Sequence, residues 1–125
     1  MRFLTQEWAE AVRGSLNADQ EFRSGVAGKD ARIQQIVTTA DGELRYWIRI
    51  EGGEIDLGVG DIEEPQATVT QPYDVAAGMM RREVSPVTAF MTGKLRVEGD
   101  LTLLLGLQEP FSRLPEVAAS LGVEY

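Results

Sequence analysis

The chain contains no cysteine and no histidine among its 125 residues. Without cysteine there is no disulfide, no thiolate nucleophile and no Cys-based metal site. Without histidine the commonest general base and the commonest transition-metal ligand are missing, and with them every Ser-His or Cys-His arrangement. Basic residues are also scarce: 12 Lys and Arg stand against 20 Asp and Glu, a formal net charge of −8. Phosphate binding draws on clustered Lys and Arg, so the balance argues against nucleic acid as a partner. It argues equally against strong electrostatic docking on anionic membranes. No apolar run approaches the roughly 18 residues that span a bilayer. The first residues, Met1 to Trp8, lack a long apolar signal segment and carry an acid at Glu7. A cytoplasmic protein is the expectation, with an apolar small molecule or another protein as its partner.

What is present is periodicity. Leu4, Trp8, Val12 and Leu16 share one helical face behind Thr5, a helix cap, and Gly14 softens the end of that helix. Asn17, with Gln20 after it, resembles a capping box for a second helix bearing Phe22 and Val26, which Gly28 ends. Ala31 to Ala40 is rich in Ile, Val and Thr, and Asp41-Gly42 is a hairpin turn. From Glu43 to Glu51 the pattern alternates, with Leu44, Tyr46, Ile48 and Ile50 on one face and Arg45, Trp47 and Arg49 on the other. After Gly52-Gly53, Ile55, Leu57 and Val59 point inward on a third strand. These three strands read as an antiparallel meander with one buried face.

Beyond the break at Glu63-Glu64-Pro65, Ala67 and Val69 mark a fourth strand (Gln66 to Thr70). Pro72 suits the start of a helix with Val75, Ala76, Met79 and Met80 on one side and Arg81-Arg82 at its C-terminal end. Pro86 starts another, with Val87, Phe90 and Met91 apolar and Gly93 closing it. Leu95 and Val97 then face one way on a fifth strand, and Lys94, Arg96 and Glu98 the other. Phe111, Leu114, Val117, Ala118 and Leu121 give a terminal amphipathic helix. Five strands with helices over one face make an α+β domain, and residues 1–125 read as one domain.

The segment from Asp100 to Gln108 is the most apolar. Asp100 is a helix N-cap, and Leu101, Leu103, Leu104, Leu105 and Leu107 then cover nearly every direction around the axis. A surface helix needs one apolar stripe, so this helix is expected to be buried on most sides or to face something apolar that is not protein. With Met79, Met80, Phe90, Met91 and Phe111 nearby, the surplus reads either as close-packed core or as the wall of a cavity, for which flexible Met side chains are suited. Gln108 follows Leu104 on the same helical side and looks toward the same space. The carboxylates Asp56, Asp61, Glu63 and Glu64 alternate with apolar residues, as a solvated face does. Gly58 and Gly60 form no phosphate loop and read as allowing a bulge or close packing on one strand face.

The stretch Ala89, Phe90, Gly93, Lys94, Leu95, Gly99 and Asp100, followed by a Leu-rich helix ending in Leu107-Gln108, resembles the signature segment of the sterol carrier protein 2 family of nonspecific lipid-transfer proteins. Trp47 in the second strand and the Ala67 to Thr70 strand are similar too, so the resemblance runs from about residue 30 to about residue 110. It implies a five-stranded, mostly antiparallel sheet with helices on one face and an apolar tunnel between them. It implies binding of a fatty acid, acyl-CoA, phospholipid or sterol, with no catalytic residue, cofactor or metal. Met79, Met80, Phe90, Met91, Leu101, Leu104, Leu105 and Gln108 are the residues expected to line the tunnel. Asp100 stands where Asn is commoner, and Thr102 and Leu105 stand where small or Met residues are found, so the lining is reshaped. Val123-Glu124-Tyr125 is not a peroxisomal tripeptide of the Ser-Lys-Leu type. The alternative reading is a non-catalytic interaction module, a homodimer or accessory domain that uses the same groove and places Phe111, Leu114 and Leu121 at its interface.

Overall fold

In the computed structural model, which describes residues 1–125, the chain builds one five-stranded sheet from β1 (Ala31–Thr39), β2 (Gly42–Glu51), β3 (Glu54–Val59), β4 (Ala67–Pro72) and β5 (Arg96–Gly99). The order across it is β3-β2-β1-β4-β5. Three neighbouring pairs are antiparallel, and the central pair β1–β4 is parallel. The turn between β2 and β3 requires left-handed backbone at both Gly52 (φ 62°) and Gly53 (φ 76°), where only glycine is unstrained.

A parallel pair needs a crossover, and here Gly60 to Gln66 supplies it on the face away from the helices. Gln34 fastens that segment: its Nε2 donates to Gly60 O (3.1 Å) and Tyr46 O (3.1 Å), and its Oε1 accepts from Ile62 N (3.0 Å). The same outer face carries Trp47, whose indole lies against Gly58. A Cβ at Gly58 would come within 2.4 Å of the ring, so the close packing expected at this glycine is present.

Seven helices complete the chain: α1 (Gln6–Asn17), α2 (Gln20–Val26), α3 (Tyr73–Met80), α4 (Pro86–Met91), α5 (Leu101–Gly106), α6 (Gln108–Phe111) and α7 (Arg113–Ala119). The covered face of the sheet is set by register. Ile33 stands opposite Ile48 and Ala67, Ala31 opposite Ile50, and Ile48 opposite Leu57. Trp8, Val12 and Leu16 of α1 and Phe22 and Val26 of α2 pack against these residues in one buried cluster. No helix is long and apolar enough to cross a membrane.

Several expectations are corrected. Thr5 caps α1 through Trp8 N as expected, but the helix passes Gly14 and ends at Asn17. Asn17 does not cap α2, because Asp19 does, its Oδ1 accepting from Phe22 N at 3.1 Å. The Asn17 amide instead reaches across to the free edge of β3, accepting from Ile55 N (2.8 Å) and donating to Ile55 O (3.0 Å). Pro72 is the residue before α3 rather than its first. Val59 is exposed rather than inward. It is the last residue of the edge strand, and its backbone amide donates to the Gln6 side chain of α1 (3.3 Å). The single terminal helix is two, α6 and α7, meeting at Ser112. In those helices Phe111, Leu114 and Leu121 are half-buried against the core, and Phe111 stacks on Phe22 at 6.5 Å.

Candidate functional site

The segment around β5 is built by turns that its residues dictate. Ser85 caps α4 through Thr88 N, and Pro86 takes its first position. Gly93 (φ 77°) ends the helix, with the amides of Lys94 and Leu95 both donating to Ala89 O. Gly99 (φ 95°) lies so close to β4 that a Cβ would sit 2.4 Å from Gln66 O. Asp100 then accepts from Leu103 N (3.0 Å) to start α5, and Lys29 Nζ donates to Gly106 O (2.7 Å) at its other end. The glycines and Asp100 of the signature segment are therefore structural.

The leucines are not enclosed as their residue type leads one to expect. α5 is only six residues long and contains no buried residue. Its Leu103 and Leu104 rest half-buried on the core and the following Leu107 is buried, while Leu101 and Leu105 are exposed. α4 behaves alike: Ala89 is buried, and Val87, Phe90 and Met91 are exposed. A helix of fewer than two turns docks one side and leaves the rest in water. Leu105 is 60% exposed and Met91 76% exposed, the extreme values in this apolar surface.

The eight residues expected to line a tunnel are therefore divided. Met80 and Leu104 pack half-buried on the core, and Met79 is half-buried. Phe90, Met91, Leu101 and Leu105 form exposed apolar surface, and Gln108 opens α6 in an exposed position. Met80 also lines a groove of about 350 Å³ with Arg81, Arg82, Pro115 and Glu116, where Arg82 pairs with Glu116 at 2.8 Å. A polar cleft of about 270 Å³ on the other side lies among Arg13, Asn17, Arg49, Glu51 and Glu54. There Asp56 is held by Arg49 (3.2 Å) and Arg13 (3.5 Å), and Asp61 pairs with Arg45 at 2.6 Å, so these carboxylates are surface ion-pair partners. No group of three or more acidic side chains is placed to hold a metal.

Two buried glutamines that the sequence pattern did not mark lie on the covered face of the sheet. Gln35 and Gln71 occupy core-facing positions of β1 and β4, and Gln71 Nε2 donates to Gln35 Oε1 at 2.9 Å. Gln71 Oε1 has no hydrogen-bond partner, and neither has the buried Trp8 indole N–H. Tyr46 stands opposite Gln35 on β2, its ring 5.4 Å from that of Trp8. Burial pushes the Tyr46 phenol pKa up. Each unpaired buried polar group costs about 1–3 kcal/mol. The alternation of β1 and β4 held the signal, since both glutamines fall where Val or Ile is the rule.

A family model described as the SCP-2 sterol transfer family matches residues 15–112. Comparison with curated proteins returned no match. Among solved structures, a crystal structure of sterol carrier protein 2 has 17% identity and a TM-score of 0.77, with 94% of this chain and 97% of that chain covered. A conserved hypothetical protein from Thermus thermophilus has 16% identity and a TM-score of 0.79, with 99% and 92% covered. Palmitated SCP2L2 from Aedes aegypti has 20% identity and a TM-score of 0.69, with 87% and 93% covered. At these identities the likeness speaks for the fold alone.

Proposed function

The chain belongs to the SCP-2 sterol transfer family, and from that premise we propose that it binds and carries a lipid, without catalysing a reaction, on an apolar path between the sheet and helices α4 and α5. The observation that carries this reading is the exposed apolar surface of Val87, Phe90, Met91, Leu101 and Leu105 on a chain of net charge −8. Each methylene that a lipid moves from water onto such a surface contributes about 0.8 kcal/mol, so a long acyl chain binds there without an ion pair. Met79, Met80, Leu104 and the exposed five are the contacts of this reading, with Gln108 at its rim. Residues 1–125 act in it as one unit, since α1 lays Trp8 and Val12 into the same buried cluster as Leu107. That a fold relative from Aedes aegypti is a palmitated protein supports a fatty acyl ligand.

The test is native mass spectrometry of the purified protein together with titration of a fluorescent fatty acid. A co-purifying lipid or saturable binding is expected; failure of both sinks the carrier reading. A second reading takes the same exposed surface as the contact between two copies of the chain. Sedimentation velocity separates them, because a tight lipid-free dimer that buries Met91 and Leu105 would favour self-association.

A further inference from the structure

Of the two edge strands of the sheet, β3 is closed by α1, whose Asn17 and Gln6 side chains bond the backbone of Ile55 and Val59. β5 has β4 on one side and no strand on the other, and β4 is the one element that packs broadly along it. An edge left this way presents unpaired amides and carbonyls to any strand laid beside it. Proteins blunt such edges by keeping them short and by charging them, most often with lysine. β5 is short, but its two outward charges are of opposite sign. Arg96 and Glu98, two residues apart, project from the outer face, while Val97 and the preceding Leu95 rest half-buried on the core. Arg96 and Glu98 are both exposed, and neither forms an ion pair within the chain.

When a second copy lies antiparallel along this edge, with the two-fold axis at Val97, each Arg96 stands opposite the Glu98 of the other copy. The pattern is its own complement, as a contact between identical surfaces requires. Two charges of one sign at these positions would repel across the seam instead. Lys94 to Glu98 carries two basic residues against one acid, which lowers at this edge the repulsion that a net charge of −8 sets up between copies. Four residues of strand are too little contact for a stable dimer by themselves. The helices on either side of β5 in the chain supply further area, since Phe90 and Met91 of α4 and Leu101 and Leu105 of α5 are exposed. We infer that β5 is a self-association edge, where two copies join antiparallel, in register at Val97, into one continuous sheet. The pairing goes beyond lipid carriage and does not depend on it. It differs from a contact of apolar helix surfaces alone because the crossed Arg96–Glu98 pairs direct it.

The experiment is sedimentation velocity of the full chain over a concentration series, with charge variants at these two exposed positions. The wild-type chain is expected to sediment as a dimer at high micromolar concentration. Arg96→Glu sets acid against acid twice across the seam, and Glu98→Arg sets base against base twice. Each alone is expected to weaken association at least about tenfold. Mixed together, the two single variants complement each other, and a heterodimer is expected from components that are monomeric alone. Arg96→Glu combined with Glu98→Arg in one chain restores both pairs and leaves the net charge at −8, so the dimer is expected to return. Circular-dichroism melting checks that each variant is folded. A wild-type chain that stays monomeric at millimolar concentration overturns the inference. So does a dimer that the single reversals leave unchanged, or one that neither mixing nor the double reversal restores. The carrier reading is judged separately, by fatty-acid binding to the same samples.

Discussion

The two edges of the sheet are finished in opposite ways. At the β3 edge, α1 lies along the strand, Asn17 and Gln6 accept from its free amides at Ile55 and Val59, and Trp8, Val12 and Leu16 seal the space beneath. Unpaired strand groups are a liability when left open, and here they are closed by side chains chosen for it. At the β5 edge the strand is four residues long, and the helices before and after it, α4 and α5, leave much of their apolar surface in water. One edge is built for stability and the other keeps surface to offer. The comparison teaches that apolar content alone does not locate a core; what decides is how much of each helix has a partner.

The same chemical change at the two edges breaks the comparison most visibly. Leu16, on α1, is 1% exposed, and Leu105, on α5, is 60% exposed. Leu16→Ala removes buried methyl groups and leaves a cavity, and about 2–5 kcal/mol of stability is expected to go with them. Leu105→Ala is expected to stay within about 0.5 kcal/mol. Urea denaturation of both variants checks this, and equal losses would mean that α5 is packed far more tightly than its exposure indicates.

The next effect belongs to the β3 edge alone. Asn17→Ala strips both bonds from Ile55 and leaves a strand amide and carbonyl without their partner. A loss of about 1–3 kcal/mol is expected. Hydrogen exchange at the Ile55 amide should quicken in the variant relative to the amides of β1. Unchanged exchange there would show that α1 is held by its apolar face alone.

How much of this was legible beforehand follows from what each residue pattern encodes. Alternation at Ile48, Ile50, Ile55 and Leu57 marks strands and their buried face directly, and the β1–β3 meander follows from the two glycine turns between them. The four-residue repeat from Trp8 to Leu16 marks α1 as surely. Asn17 was misplaced because its preference for a helix end is satisfied equally by capping backbone nearby or a strand far along the chain, and only the fold brings Ile55 to it. The parallel β1–β4 pair was not legible either, since it depends on a crossover fastened by Gln34 side-chain bonds. In the candidate site the turns at Gly93, Gly99 and Asp100 were readable from local chemistry. The exposure of Leu101, Leu105, Phe90 and Met91 was not, because residue type states a preference for burial and says nothing of the length of helix available to satisfy it.

A smaller effect is confined to acid. The Asp19 carboxyl is held below its ordinary value of 3.8, chiefly by the hydrogen bond from Arg113 and then by the Phe22 amide it caps. Glu116 is lowered as well, first by Arg82 and then by Arg113. A depressed carboxyl pKa adds stability that is fully present above the unfolded value and is lost as pH falls through the folded one. The pairing ties α7 to the start of α2, so Arg113→Gln should lower the denaturation midpoint at pH 7. The gap to wild type should narrow as pH drops below about 4, where the carboxyls lose their charge in both proteins. A gap that stays constant down to pH 2 would assign the role of Arg113 to packing instead.

The smallest expected change in stability carries the most information about the β5 edge. Met91→Gln with Leu105→Gln replaces the two most exposed apolar side chains there by a residue of comparable helix propensity, so the folded state should lose less than about 1 kcal/mol. Surface that contributes so little to folding is free to serve another purpose. If that purpose is contact with a lipid, the double variant should bind a fluorescent fatty acid several-fold more weakly while its thermal unfolding is unmoved, because apolar area is removed from the ligand's side and not from the core. If binding is unaltered, lipid reaches the protein elsewhere, and the contrast between the two edges is one of packing only. A fall in both binding and stability together would mean that α4 and α5 close onto the core once they are loaded, with Met91 and Leu105 moving from water to cover.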